Sequence, residues 1–210
     1  MKLNLLSVMV ICILMSCNSS EKKSPEAPKD SPVAKKKDTA QAKTKTPASK
    51  PPIINIVDSV APKHIVVYMK DSSATFAGIN LKLAQIFGKK LNEVYKKNGL
   101  KSAGAPIAWY STHKAPYFFE AGIPVNKKPT KLTPGIKVKE IPADSVVIAH
   151  FFGPYDQLNV GYDVIRDWLK EHNRRSTGQP YEVYIGDPLD KKGKPNDPYK
   201  IQTDIVFPRK

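Results

Sequence analysis

The sequence predicts an α+β domain made of two related halves, an antiparallel sheet carrying two long helices. Three observations lead there: an internal repeat of period 74, an amphipathic helical stretch at the same shift in each half, and β-branched runs flanking each helix.

Shifting the chain by 74 residues lays Gly104-Ala-Pro106-Ile-Ala108-Trp-Tyr110 on Gly178-Gln-Pro180-Tyr-Glu182-Val-Tyr184, with Gly, Pro and Tyr in register. Without a gap, the same shift lays Leu81 to Tyr95 on Tyr155 to Leu169. Ala84, Phe87, Leu91, Val94 and Tyr95 then meet Leu158, Gly161, Ile165, Trp168 and Leu169, the spacing of one helix face. Two helices of about 15–18 residues follow from that periodicity. Gly153-Pro154 and Gly99 supply start and stop signals.

Ahead of each helix stands a β-branched run, Ile65-Val66-Val67-Tyr68 and Ser145-Val146-Val147-Ile148-Ala149-His150. These align only if the first connection is seven residues longer. A second strand follows each Gly-x-Pro, and a third ends near Ile123-Pro124-Val125 or Asp204-Ile205-Val206-Phe207-Pro208. Each half therefore reads β-α-β-β, the first over residues 63–126 and the second over 136–210.

The residues ahead of this domain read differently. Lys2 precedes an apolar run, Leu5 to Met15, that ends at Leu14-Met15-Ser16-Cys17, so residues 1–16 are predicted to be a signal peptide. The run is about half the roughly 20 residues of a membrane-spanning helix. Its last four residues resemble a lipobox, in which the cysteine receives a thioether-linked diacylglycerol. The expectation is a lipoprotein lipidated at Cys17, carried outside the cytoplasm on the inner or outer membrane; the plainer alternative is a secretory signal with a stray cysteine. Cys12 leaves with the signal and Cys17 is taken by lipid, so no thiol is left for a disulfide, a metal or a nucleophile.

Residues 17–62 read as the lipidated cysteine plus a disordered Lys/Pro-rich tether, for from Asn18 to Pro62 there is no Phe, Tyr or Trp. As a flexible coil it would span roughly 35–40 Å. A solvated spacer is the plain reading, and affinity for cell-wall polyanions or anionic head groups the sharper one. All eighteen aromatic residues lie beyond it, which places the folded unit at 63–210 with a net charge of +10. Such a charge attracts anions generally. Nucleic acid is not an expected partner, because no basic recognition helix or aromatic RNA-binding motif occurs.

A family likeness rests on Val147-Ile-Ala-His-Phe-Phe-Gly-Pro-Tyr155, Tyr162, Trp168-Leu169, Gly178-Gln-Pro-Tyr-Glu182-Val-Tyr184-Ile-Gly-Asp187-Pro188 and Thr203-Asp204-Ile205-Val206-Phe207-Pro208. These residues resemble the gyrase-inhibitor-like, or effector-binding, domain superfamily, which includes the ligand domains of multidrug-responsive transcription activators. The likeness spans the whole folded unit and is weaker in the first repeat, where Ser72 to Asn80 lacks the usual Gly-x-Tyr start of the helix. It implies pseudo-twofold halves with a groove between them, lined by aromatics around one central acid. It also implies an amphipathic, often cationic, small molecule as ligand. Where transcriptional members carry a DNA-binding helix pair, this chain has a tether.

Glu182 is the candidate central acid. Strand alternation puts Glu182 and Tyr184 on one face and Tyr181 and Val183 on the other, and the likeness aims the Glu182 face at the groove. A carboxylate among rings suits an organic cation by charge and by cation–π attraction. Buried, its pKa would rise, fitting a general acid or base. The plain alternative is an exposed Glu paired with a lysine. Tyr110, the register mate of Tyr184, is expected on the opposite wall and Tyr155 at the mouth; Tyr68 and His150 lie on strands near the groove. For each tyrosine a core ring is the alternative. Trp109 is expected to pack under a helix, and Trp168 in the core.

Ala108 occupies the place of Glu182 in the first half, so a two-carboxylate mechanism is disfavoured. His64, His113 and His172 are isolated, and there is no metal-binding, nucleophile-elbow or phosphate-loop motif, so no metal and no cofactor are implied. Three readings stay open: a membrane-tethered domain that captures an amphipathic small molecule, a hydrolase of reactive compounds with Glu182 as base, and an envelope interaction protein using its basic surface. No protein partner is named by the sequence.

Overall fold

β-branched runs such as Ile65-Val66-Val67 and Val146-Val147-Ile148 form strands, and they are buried on both faces of one continuous sheet. The structure, a computed structural model, describes residues 50–210. In chain order these form β1 (Ile53–Ala61), β2 (His64–Ser73), α1 (Phe76–Gln85), a π turn (Ile86–Lys90), α2 (Leu91–Asn98), β3 (Ile107–Tyr110), β4 (Tyr117–Val125), β5 (Ile136–Ile141), β6 (Asp144–Phe152), α3 (Leu158–Glu171), β7 (Tyr181–Tyr184) and β8 (Gln202–Pro208). The predicted signal peptide, Cys17 and most of the predicted tether lie outside the described residues.

All eight strands join one antiparallel sheet in the order β1-β6-β8-β7-β3-β4-β2-β5. Exchanging the strands of one half for those of the other reverses this order onto itself, which is the pseudo-twofold relation the repeat predicts. The halves meet where β3 pairs with β7.

Each half carries one strand more than the β-α-β-β reading. β5 leads the second half but pairs with β2 of the first, and β1 pairs along its whole length with β6 of the second. β1 corrects the boundary at residue 63: the folded unit includes Ile53–Ala61, which the sequence reading assigned to the tether. That reading relied on missing aromatics, whereas an edge strand needs only one apolar face. Ile54 and Ile56 supply it, packing on the core beneath α3.

The helices cover one face. α1 starts at Thr75, whose hydroxyl oxygen accepts the Gly78 N–H at 3.1 Å. α2 stops at Gly99, whose φ of 56° gives the left-handed cap. Leu83, Ile86, Leu91 and Val94 bury the first helix's stripe, and Leu158, Gly161, Ile165 and Leu169 that of α3. No helix among the described residues is long and apolar enough to cross a membrane.

The gapless 74-residue match of the helices holds only for part of their length. Between Ile86 and Leu91 the buried stripe advances five residues, while between Gly161 and Ile165 it advances four. The π turn absorbs the extra residue. Upstream of it the matching pairs are Leu83 with Leu158 and Ile86 with Gly161, so Ala84 and Phe87 leave the core stripe.

The strand offset is also corrected. Met69 pairs with Ala121 and Ala149 with Ile205, the residues opposite Ala108 and Glu182. Met69 is thus equivalent to Ala149, an offset of 80 rather than the 81 implied by a seven-residue difference.

The other sheet face carries no helix yet buries side chains at its centre. Val66, Ile107, Trp109, Val146, Tyr181 and Val206 form a second core there, with Tyr68 and Ile148 packed against it. Trp109 therefore does not pack under a helix; its ring lies 3.3 Å beneath the Lys139 ammonium, and Lys139 pairs with Glu120. Trp168 is half-buried, stacked on His172 with ring centres 4.0 Å apart.

Candidate functional site

A groove of about 1580 Å³ opens between the first helix and α3, on the helix-covered face at the junction of the halves. Its floor is β3 and β7, which place Tyr110, Glu182 and Tyr184 side by side; its walls include Leu83, Ala84 and Phe87 from the first helix and Leu158 and Tyr162 from α3. Strand alternation sets the floor as expected: Tyr181 and Val183 point to the opposite core.

Glu182 is 4% exposed. Its Oε2 accepts the Tyr184 hydroxyl at 2.9 Å and its Oε1 the Tyr162 hydroxyl at 3.1 Å. Tyr184 has then used its single proton, so Tyr110, at 2.9 Å, donates to the Tyr184 oxygen. The three phenols and one carboxyl form a directed chain, from Tyr110 through Tyr184 to Glu182, with Tyr162 on the other oxygen. Tyr155 also lines the groove, its ring edge-on to Tyr184 at 6.3 Å.

Burial pushes the Glu182 carboxyl up to about 7, against the pull of the two hydroxyl donors. Burial, reinforced by the Glu182 charge, also raises Tyr110, Tyr162 and Tyr184 far beyond the ordinary phenol. All three remain proton donors at neutral pH. A carboxylate in that setting is held by fixed dipoles instead of a counter-ion, so it is poised to accept a positive charge.

The charge of the groove is opposite to that of the chain. The whole sequence carries +15, yet the groove is lined by Glu182, Asp156 and Asp187 against Arg166, which is itself tied to Asp163 at 2.7 Å. His113 lines it too, edge-on to Tyr162 at 4.8 Å, its pKa lowered by burial and by Arg166. No group of three His, Cys, Asp or Glu side chains among the described residues is placed to hold a metal ion.

Two expectations fail on geometry. Tyr68 neighbours Val67, which faces the helices, so alternation turns Tyr68 to the opposite face, where Lys139 sits 4.6 Å above its ring. His150 likewise faces away and bonds Asp204 at 2.7 Å. Conversely, sequence reasoning passed over Tyr162 as a partner of Glu182, although a hydroxyl on the buried stripe of an amphipathic helix needs a bonded partner. It also passed over His113, Arg166 and the groove-facing position of Phe87.

Residues 73–210 match a family described as the GyrI-like small molecule binding domain. The chain belongs to this family. The match leaves out β1 and all but the last residue of β2, both integral to the GyrI-like sheet seen here. The crystal structure of the EcmrR C-terminal domain is similar with a TM-score of 0.64 at 22% identity, over 75% of this chain and 98% of that one. EcmrR in a cryo-EM complex with DNA gives 0.63 at 24% identity, over 75% of this chain. The alignment spans 57% of that longer EcmrR chain. An uncharacterized conserved protein from Listeria innocua gives 0.51 at 11% identity, over 76% of this chain and 92% of that one. At these identities the likeness shows the fold. No functionally curated protein matches the sequence.

Proposed function

We propose that this GyrI-like domain captures amphipathic organic cations in the groove, with Glu182 as the counter-charge. The buried carboxylate held by two tyrosine hydroxyls carries the reading: it is an anionic point on an otherwise apolar, aromatic floor. Its net acidic lining, set in a basic chain, supports the same sign of ligand. Tyr110, Tyr184 and Tyr155 supply ring surface for the apolar part of the ligand.

The proposal includes an anchor. Lipid on Cys17, after removal of residues 1–16, would hold the domain on the outer side of a membrane, at the cell envelope, with the intervening segment as spacer. Metabolic labelling with a tagged palmitate tests it, with label expected on the chain and lost in Cys17→Ala. Nucleic acid has no role in this reading.

Titration with tetraphenylphosphonium tests the groove. Binding at pH 8 is expected for the wild type and a loss of at least about tenfold for Glu182→Gln, a charge pair about 6 Å apart being worth roughly 3 kcal/mol at an effective dielectric of about 20. Equal affinity in a folded Glu182→Gln protein overturns the assignment. A second reading draws on the carboxyl pKa of about 7, which suits a general base in hydrolysis of electrophilic compounds. Turnover that disappears in Glu182→Gln distinguishes it from capture alone.

A further inference from the structure

Tyr110 and Tyr184 are twins across the two halves, but the other two polar groups at the centre of the groove, Glu182 and Tyr162, have apolar twins. On the sheet, Ala108 lies directly opposite Glu182 in the β3–β7 pair. The carboxylate of the second half therefore faces a methyl group of the first. On the helices, Tyr162 follows the buried Gly161 by one residue, and Phe87 follows the buried Ile86 by one. Phe87 thus stands where the pseudo-twofold would put a second Tyr162. The acid–phenol pair of one half is a methyl–phenyl pair in the other.

The π turn delivers Phe87 to the groove. In an uninterrupted α-helix, Phe87 and Leu91 would share one face. Here Leu91 is fully buried in register with Ile86 five residues back, so Phe87 is displaced from the core stripe. Its half-buried ring lines the groove, 6.2 Å from the ring of Tyr184. Beside it Gly88 also lines the groove, with open space where a Cβ would lie.

We infer that Phe87 sets the specificity of the groove: its wall receives the broad apolar body of a ligand whose single positive charge rests on Glu182, and it excludes a second cationic centre, because Ala108, fully buried beside Glu182, leaves the first half without a carboxylate. This rests on the cation reading proposed above and adds the ligand class, an apolar monocation held in one orientation. A second ammonium against this wall loses its hydration with no carboxylate to replace it, and a phenyl face offsets only part of that cost.

Calorimetric titration of the full-length chain with three probes tests it: tetraphenylphosphonium, tetramethylammonium, which has the charge without the body, and decamethonium, which has two charges. The wild type should favour tetraphenylphosphonium over each of the others by at least about 100-fold. Phe87→Ala should weaken tetraphenylphosphonium by about tenfold, and tetramethylammonium by no more than about twofold. Phe87→Leu, which keeps apolar bulk, should recover most of the loss. Decamethonium should gain on tetraphenylphosphonium in Phe87→Tyr/Ala108→Glu, which rebuilds the second acid–phenol pair; because Ala108 is fully buried, the Phe87 series decides the matter if that double variant does not fold.

Unchanged tetraphenylphosphonium affinity in Phe87→Ala, or equal wild-type affinity for decamethonium, overturns the inference. If Glu182→Gln abolishes binding while Phe87→Ala does nothing, the groove reading stands and this inference alone falls. If the wild type binds none of the three cations, both fall.

Discussion

Tyr162 on α3 and Glu182 on β7 are joined inside the second half by a 3.1 Å bond from hydroxyl to carboxylate. The bond ties the helix to the floor of the groove and gives the buried acid one of its two donors. Its twin, between Phe87 and Ala108, cannot exist, so the two halves share a scaffold and differ in polarity at its centre.

Replacing Tyr162 with Phe removes that donor while keeping the ring. A loss of about 1.5–3 kcal/mol is expected at pH 8, where Glu182 is charged, and about 1 kcal/mol at pH 5, where it is neutral. Urea unfolding at the two pH values measures the difference. An equal loss at both would mean that the bond does not serve the carboxylate.

The raised pKa of Glu182 carries a sign for stability. The folded state holds the proton up to about pH 7, while the ordinary carboxyl value is 4.5. The folded form binds more protons between those values, so this group's contribution is greatest below pH 4.5, falls as pH rises to 7, and is level above. The decline amounts to about 3 kcal/mol. Subtracting the Glu182→Gln pH profile from that of the wild type isolates it from Asp71, Glu120 and Glu140, whose pKa values are lowered and act in the opposite sense. A flat difference profile contradicts the burial of a titrating acid.

Gly161 brings α3 close to β8. A Cβ there would lie 2.5 Å from the Ile205 Cδ1, and Ile205 is fully buried. Gly161→Ala should cost about 1–3 kcal/mol by overpacking. Adding Ile205→Val, which removes the offending methyl, should return part of it; thermal unfolding of the single and double variants provides the check.

The edge strand supplies a prediction about boundaries. A fragment of residues 63–210 lacks β1, its pairing with β6, and the apolar contacts of Ile54 and Ile56. It should be less stable than a fragment of residues 50–210 by at least about 3 kcal/mol, two isoleucines being worth about 1.5–3 kcal/mol each. Urea midpoints of the two fragments compare them directly.

How far the sequence could be read follows from what each signal depends on. Glu182 and Tyr184 were legible because strand alternation is a strict period of two and the repeat supplied the register of Tyr110. Tyr68 and His150 were misplaced because alternation tells which residues share a face and not which face the helices cover. β1 was hidden by its lack of aromatics, although its Ile-x-Ile alternation was present. The π turn left no sequence mark at all: one inserted residue in an amphipathic helix is visible only in which side chains are buried. That residue moved Phe87 from an expected core position to the wall of the groove.

Calorimetric titration of tetraphenylphosphonium at pH 6.5, in buffers of different ionisation enthalpy, asks whether the cation takes the place of the proton on Glu182. With a carboxyl pKa of about 7, binding should release about three-quarters of a proton per cation. Above pH 8.5 the release should vanish. A binding enthalpy that is the same in every buffer, or an equal proton release from Glu182→Gln, would mean that the cation does not rest on Glu182.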